Sequence, residues 1–449
     1  MKSYKTITLG CKVNQCESAA LGHLIEAEGY SRSGKGESAS VVIINTCTVT
    51  GKAAMQSRQA IRQAIRNHPA AQIVVTGCYA QTAPKEIQAI EGIDLIVGHH
   101  DKLGIARMLD ETGSSSQSAR VVRRGIGQPC EFSSMPSVAF ESRTRAFLKI
   151  QDGCNTRCTY CIVPYARGSS RSMPTDDVIE HVHRLVKEQI KEVVLTGIHL
   201  GAYGEDLSPG TSLAATVEKM LKETAIDRIR LSSIEPTEID DRLIDLAFQF
   251  QGRICRHFHI PLQSGDDETL RRMGRPYTSE RFARTIQTIH KRIPGAAIGI
   301  DVMAGFPGES EAAFSRTYRL LDALPISYLH VFPYSPRKGT PAASYTPKVP
   351  ERVAKERCRE LRALSEEKRA AFFRSMIDQQ VAVLTETATE PVSGLAAGLS
   401  DNYVPVAVAE DDVQENEVVM IRITEITPEG KVIGNYDSGG KNNPVLYED

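Results

Sequence analysis

Asp152-Gly-Cys154-Asn-Thr-Arg-Cys158-Thr-Tyr-Cys161 follows directly on the apolar run Phe147–Ile150. Three thiols within eight residues, on the turn leaving a strand, can wrap one inorganic cluster. Thiolates are the ligands that iron–sulfur clusters require, and four complete a 4Fe–4S cube. Only three are local here, since the next cysteine is Cys255. A cube held by three thiolates leaves one iron free to bind a substrate or cofactor, whereas an electron carrier fills all four positions. A structural zinc needs a fourth Cys or His, and no His lies between His100 and His181.

The run before the triplet opens a series of strand-like segments. Phe147–Ile150, Val193–Thr196, Ile229–Ser232, Phe258–Pro261, Ile298–Val302 and Leu329–Pro333 alternate with helix-compatible stretches such as Thr175–Gln189, Ser279–Arg292 and Glu311–Ala323. This (β/α) series covers roughly 190 residues, whereas a full eight-unit barrel typically takes about 250. A partial (β/α)6 barrel fits.

Upstream, the apolar runs Ile7–Leu9, Val41–Ile44, Ile73–Val75 and Leu95–Val97 alternate with helix-compatible segments such as Ala53–Asn67, the pattern of βα units on a parallel sheet. The Ser-rich stretch Gly113–Ser118 reads as a linker. Downstream, the basic helix-like stretch Glu351–Met376 gives way to the short runs Val381–Leu384, Val404–Val408, Val418–Ile423 and Lys431–Gly434, separated by Gly and Pro. That reads as a small all-β barrel. The expected chain is thus α/β multidomain: an N-terminal parallel βα domain over 1–125, the partial barrel within 140–375, and the β-barrel over 377–440.

Cys11, Cys47 and Cys78 share a context. They sit in Leu9-Gly10-Cys11, Asn45-Thr46-Cys47 and Thr76-Gly77-Cys78, each just past an apolar run. In a parallel sheet the carboxyl ends of the strands share one edge, where α/β folds bind ligands. Three thiols would meet there, with Gly10 and Gly77 permitting close backbone approach to a bulky cluster. Small apolar cysteines are also common in cores, but three repeats of one context favour a second three-thiolate cluster. Cys16, Cys130, Cys255 and Cys358 lack such a context and read as packed or exposed free thiols.

The whole sequence excludes several classes. With 449 residues, 41% hydrophobic and 24% charged, it has the composition of two to four ordinary globular domains. No apolar run approaches the roughly 20 residues of a membrane span, and Met1–Thr6 contains no signal-peptide core. A cytoplasmic protein with no membrane partner is expected. The net charge of −1 hides a split: residues 378–449 carry 14 Asp/Glu against 3 Lys/Arg, a net of −11, which leaves +10 on residues 1–377. A polyanion would meet a basic body and an acidic tail.

The CxxxCxxC triplet, with an aromatic residue before its last cysteine, resembles the signature of the radical S-adenosylmethionine (SAM) superfamily. Within it, the two open clusters and the closing β-barrel resemble the methylthiotransferase family. The resemblance runs through Thr8-Leu-Gly-Cys11-Lys-Val-Asn-Gln15, Asn45-Thr-Cys47-Thr-Val-Thr50, Asp152–Gly168, His259-Ile-Pro-Leu-Gln-Ser-Gly265 and Gly299–Gly308. Ser400-Asp-Asn-Tyr-Val404 belongs to a barrel similar to the RNA-binding TRAM domain. GCKVNQ and KIQDGCN are most similar to the branch acting on N6-threonylcarbamoyladenosine of tRNA.

The resemblance implies two 4Fe–4S clusters and SAM, with Cys154, Cys158 and Cys161 holding the SAM-cleaving cluster and Cys11, Cys47 and Cys78 the auxiliary one. All six count as catalytic. It implies transfer of a methylthio group to C2 of the base at position 37. One SAM would methylate a sulfur on the auxiliary cluster, and a second would supply the radical that removes the C2 hydrogen. Implied partners are the tRNA anticodon stem-loop, an electron donor such as flavodoxin or ferredoxin, and a sulfur source. The alternatives are the sister branches acting on isopentenyladenosine or on a ribosomal-protein aspartate, and a non-catalytic iron–sulfur sensor or RNA-binding regulator.

By the same resemblance Gly197, Ser232, Ser233, Glu235 and Gln263, at carboxyl ends of barrel strands, are expected to contact SAM. His257 and His259 alternate along one strand and are expected to line the barrel rather than to ligate. The basic stretch from Arg352 to Arg369 is interspersed with Glu351, Glu356, Glu360, Glu366 and Glu367 and reads as a solvated helix face.

Overall fold

The computed structural model describes residues 2–34, 36–111, 119–126, 131–133, 135, 138–139, 144–389, 395–409 and 413–436. The linker stretch Gly113–Ser118 and Cys130 lie outside them. By its internal contacts the chain divides into two compact units. The first comprises Met1–Val138, Gln151–Met173 and Ser335–Ser344, and the second Ala139–Ile150, Pro174–Tyr334 and Tyr345–Asp449.

The first unit is built on a six-stranded parallel sheet in the order Ser31–Arg32, Ser3–Thr8, Val41–Thr46, Gln72–Gly77, Leu95–Val97, Arg120–Val122. Both faces are covered. Val42, Ile44, Ile73, Val75 and Ile96 pack with Ala54, Ile61 and Ala64 of the helix Gly51–Asn67 on one side. Ile43, Val74, Leu95 and Val97 pack with Leu21 and Ile25 of the helix Lys12–Ala27 on the other. Burial on two faces explains why the strands read as unbroken apolar runs. The edge strands Ser31–Arg32 and Arg120–Val122 carry polar residues and short pairing, and no apolar run announces them.

In the second unit six parallel strands follow in two hydrogen-bonded groups. One orders Arg228–Leu231, Glu192–Thr196 and Arg145–Lys149; the other orders His257–Gln263, Ala297–Ala304 and Tyr328–Pro333. The groups adjoin through a bridge from Ile229 to Ile254, which precedes the strand His257–Gln263, and through the Ile234 N–H, which donates to the His259 carbonyl at 3.0 Å. Helices Thr175–Lys187, Leu213–Glu223, Asp241–Gln249, Ser279–Arg292 and Glu311–Ala323 connect the strands. This is the expected partial barrel. The helix Glu351–Arg374 then leads to a closed five-stranded barrel. One of its strands, Ala396–Ser400, escapes sequence reading because it is small-residue rich. Gly398 sits where a Cβ would lie 2.4 Å from Val383.

The helix Glu351–Arg374 has the expected paired exposed face, with Lys355–Glu351 at 2.7 Å and Arg359–Glu356 at 3.2 Å. Arg357 departs from it. That guanidinium is buried against Glu309 at 2.6 Å, so it is tied into the fold rather than offered to solvent. Among the described residues no helix is long and apolar enough to cross a membrane.

Candidate active site

In the first unit the strand order reverses at Ser3–Thr8, and the crevice between that strand and its neighbour Val41–Thr46 is where doubly wound sheets bind ligands. Cys11 and Cys47 leave those two strands. The register sets Thr46 opposite Gly77, so Cys47 and Cys78 each follow a paired position on adjacent strands. The three thiols are close enough to act on one another electrostatically. Gly10 and Gly77 both have left-handed backbones, at φ +99° and +96°. A Cβ on Gly10 would lie 2.8 Å from Cys47 Sγ, and one on Gly77 2.4 Å from the Thr46 carbonyl oxygen. Only glycine fits at either place.

Each thiol has a distinct setting. Cys11 is exposed and occupies the N-cap position of the helix Lys12–Ala27. Cys47 and Cys78 are buried. The Cys47 backbone is pinned by Ser57, whose Oγ accepts from its N–H at 3.1 Å and donates to its carbonyl at 2.9 Å. Burial pushes the Cys47 thiol up and the Cys78 thiol up to about 11, with neighbouring thiols adding and Arg167 opposing. Buried thiols gathered beside a cation, within glycine-cleared space, are a donor set suited to iron, which holds them as thiolates.

The second thiol set lies on a loop closed at its base. Cys154 N–H donates to the Gly168 carbonyl at 3.0 Å, and Gly153 at φ +74° comes so close to Ser169 that a Cβ would overlap its carbonyl. Gln151 Nε2 donates to the Asp152 and Gly153 carbonyls and to Ser170 Oγ. Asn155 Oδ1 accepts from Ser170 N–H, and the Thr159 carbonyl accepts from Ala342 N–H. Cys158 is buried, while Cys154 and Cys161 are half-buried. The loop backbone is therefore held from several sides.

Behind both thiol sets lies a buried polar cage that the sequence motifs contain but that spacing alone does not reveal. Arg167 donates to Glu17 and to Asp152, each at 2.9 Å, and to Asn14 Oδ1 at 2.6 Å. Lys102 pairs with Glu17, and His99 Nε2 lies 3.1 Å from Asp152. Asn14 and Glu17 fall on the same stripe of the helix as Val13, Leu21 and Ile25. A carboxylate on the apolar stripe of a helix is the signal that could have exposed the cage. Burial lowers the His99 imidazole to about 4, so it is neutral at physiological pH.

In the second unit, Gly197 follows the strand Glu192–Thr196, Ser232 and Ser233 follow Arg228–Leu231, and Gln263 ends His257–Gln263 at φ +66°. Glu235 accepts from Arg275 at 2.5 Å through one oxygen. Its other oxygen, and Ser232 Oγ, are buried without a hydrogen-bond partner among the described residues. Orphaned polar atoms at carboxyl strand ends fit a polar ligand such as SAM. Cys255 and Cys358 are buried and Cys16 half-buried, as packed thiols.

The chain matches the model of the radical SAM superfamily over residues 148–321, and that of an uncharacterized protein family, UPF0004, over residues 3–98. It is 40% identical over 418 residues to the threonylcarbamoyladenosine tRNA methylthiotransferase MtaB of Bacillus subtilis, covering 93% of this chain and 92% of that one. The chain belongs to the radical SAM methylthiotransferase family. A tRNA-2-methylthio-N(6)-dimethylallyladenosine synthase of Pelotomaculum thermopropionicum is 32% identical over 430 residues, covering 94% of this chain and 95% of that one. Among solved structures, the radical SAM methyltransferase TsrM of Kitasatospora setae superposes with a TM-score of 0.53 at 16% identity, covering 76% of this chain and 77% of that one, a likeness of fold. As a methylthiotransferase the chain is an enzyme of radical SAM chemistry, whose cofactors are 4Fe–4S clusters and SAM.

Proposed function

We propose that this methylthiotransferase acts on N6-threonylcarbamoyladenosine at position 37 of tRNA, placing a methylthio group on C2. The observation that carries the reading is the pair of three-thiol sets in one unit, each one ligand short of a full cube. The 40% identity to the Bacillus relative supports the choice of substrate branch.

Cys154, Cys158 and Cys161 hold one cluster, and Cys11, Cys47 and Cys78 the other. Gly197, Ser232, Ser233, Glu235 and Gln263 bind SAM, with Ser232 Oγ and the free Glu235 oxygen supplying polar contacts. When bound, these groups supply the electron and the hydrogen-abstracting chemistry that side chains lack. The chain's own part is to orient the thiolates, through the Ser57 clasp on Cys47 and the closed base of the Cys154 loop, and to keep water from the buried thiols. The span 1–125 serves the auxiliary cluster, 140–375 serves SAM, and the barrel over 377–440 contacts the anticodon stem-loop. An electron donor of the flavodoxin or ferredoxin kind and a sulfur source complete the cycle. An unpaired loop base reaches such a site at modest cost.

Mass spectrometry of nucleosides from a strain lacking this chain tests the reading. Loss of 2-methylthio-N6-threonylcarbamoyladenosine, restored by the wild-type chain, is expected. Loss of the dimethylallyl counterpart instead would assign the chain to the branch of the Pelotomaculum relative.

A further inference from the structure

In the second unit three neighbouring parallel strands bring two imidazoles onto one carboxylate. The register pairs Asp301 with His330 on one side and with Pro261 on the other, and it pairs His259 with Gly299. Gly299 leaves room at that level, and a Cβ there would sit 2.2 Å from the Tyr328 ring. His259 Nε2 lies 2.9 Å from Asp301 Oδ1, and His330 Nδ1 lies 3.4 Å from the same oxygen. One donor atom from each of the three residues falls within 4.8 Å of the others.

The cluster Glu17–His99–Asp152 meets the same distance condition. There, however, the buried Arg167 and Lys102 already supply the positive charge. Asp301 has no Lys or Arg pair among the described residues, and only the two imidazoles approach its carboxylate.

We propose that His259, Asp301 and His330 form a mononuclear site for a divalent transition-metal ion of the zinc and ferrous-iron class, with no cysteine among its ligands. Two imidazole nitrogens and one carboxylate oxygen are a ligand set that such ions accept while keeping positions open. Metal–ligand bonds of about 2.0–2.2 Å put tetrahedral donors roughly 3.3–3.6 Å apart. The 3.4 Å edge already matches that spacing, and the 2.9 Å edge must open by about half an ångström. Each ring nitrogen that now faces Asp301 becomes a ligand, and its proton shifts to the other nitrogen of the same ring. For His259 that nitrogen faces the Tyr328 hydroxyl at 3.5 Å, which is itself 2.8 Å from His257 Nε2, an outer partner of the kind metal-bound histidines have. Side-chain exposure rises from 10% at His259 to 22% at Asp301 and 53% at His330. The open positions therefore face the His330 side, where water or an oxygen ligand can enter.

The test uses the full-length chain after anaerobic cluster reconstitution, equilibrated with micromolar zinc chloride and freed of excess metal. Zinc and iron are counted in the same sample, and zinc K-edge absorption reports the ligands. The expected result is one zinc per chain bound through nitrogen and oxygen, with affinity at least tenfold weaker in both Asp301→Asn and His330→Ala and iron content unchanged. No zinc uptake overturns the proposal, as does uptake equal in the variants, or zinc held only by sulfur at about 2.3 Å. His330 is half exposed, so its variant keeps the test decisive should Asp301→Asn fail to fold.

Discussion

The Arg167 guanidinium meets the Glu17 carboxylate, 150 positions earlier in the chain, at 2.9 Å with both side chains shut off from solvent. The same guanidinium bonds Asp152, two residues before Cys154, and Asn14, three residues after Cys11. One cation thus ties together, through side chains, the two segments that carry the first cysteine of each set.

Removing that cation should be costly. Arg167→Leu leaves Glu17 and Asp152 buried with one positive partner fewer, and loss of one member of a buried pair costs about 3–5 kcal/mol. Urea unfolding should show a loss of that order, with Arg167→Lys recovering part of it. A loss under about 1 kcal/mol would mean that the cage is not structural.

The two thiol sets should fail differently. Cys158→Ala is expected to abolish reductive cleavage of SAM, since losing one of three thiolates dismantles the cube. Cys47→Ala should leave 5′-deoxyadenosine measurable while removing methylthio product, because its ligand set is separate. Both products are quantified from one reaction. Methylthio transfer at the wild-type rate by Cys47→Ala would reduce Cys47 to a packed thiol.

Glu192 predicts an acid sensitivity. Burial raises its carboxyl, but Arg230 and Arg228 outweigh burial and hold it far below the ordinary value of 4.5. Below about pH 4.5 the unfolded chain takes a proton there that the folded chain refuses, so this contribution is complete above that pH and drains away as pH falls. Urea midpoints measured between about pH 5 and pH 3.5 should fall less steeply in Glu192→Gln than in the wild type. Parallel slopes would count against it.

The terminal barrel should not be removable without penalty. Arg228 donates to the Ala382 and Leu399 carbonyls, and Arg230 to those of Ser400 and Asp401, all from buried positions. Truncation after Arg374 strips these acceptors from two buried cations. A drop in Tm of several degrees is expected, and tRNA turnover should fall more than SAM cleavage does. Unchanged Tm and unchanged turnover would show the barrel to be an independent appendage.

What the sequence reveals follows from physics local to the chain. Val41–Thr46 and Gln72–Gly77 are buried on both faces, so their apolar runs stand out, and the cysteines that end them inherit a common edge. Cys154 to Cys161 is legible because all three ligands lie within one loop. The Arg167 cage is not, since its members come from four separate stretches, and only Glu17, on the apolar stripe of its helix, stands out from a surface charge. Asp301 and His330 are opaque for the same reason, being joined only by strand register. Ala396–Ser400 is missed because its residues are chosen for closeness to Val383, not for β-branching.

The first unit is assembled from three separated stretches of chain, and this orders events during synthesis. Gly51 N–H donates to Ser335 Oγ, a partner 284 positions later, and Arg337 reaches back to Thr48 Oγ1 at 2.6 Å. At roughly 5–20 residues per second, the ribosome delivers that last stretch about 15–60 s after the first. The sheet that buries Cys47 and Cys78 is complete in sequence by Val122, so it can form while the rest of the chain is still being made. The contacts of Thr48 and Gly51 with the last stretch are therefore the final ones of this unit to become possible.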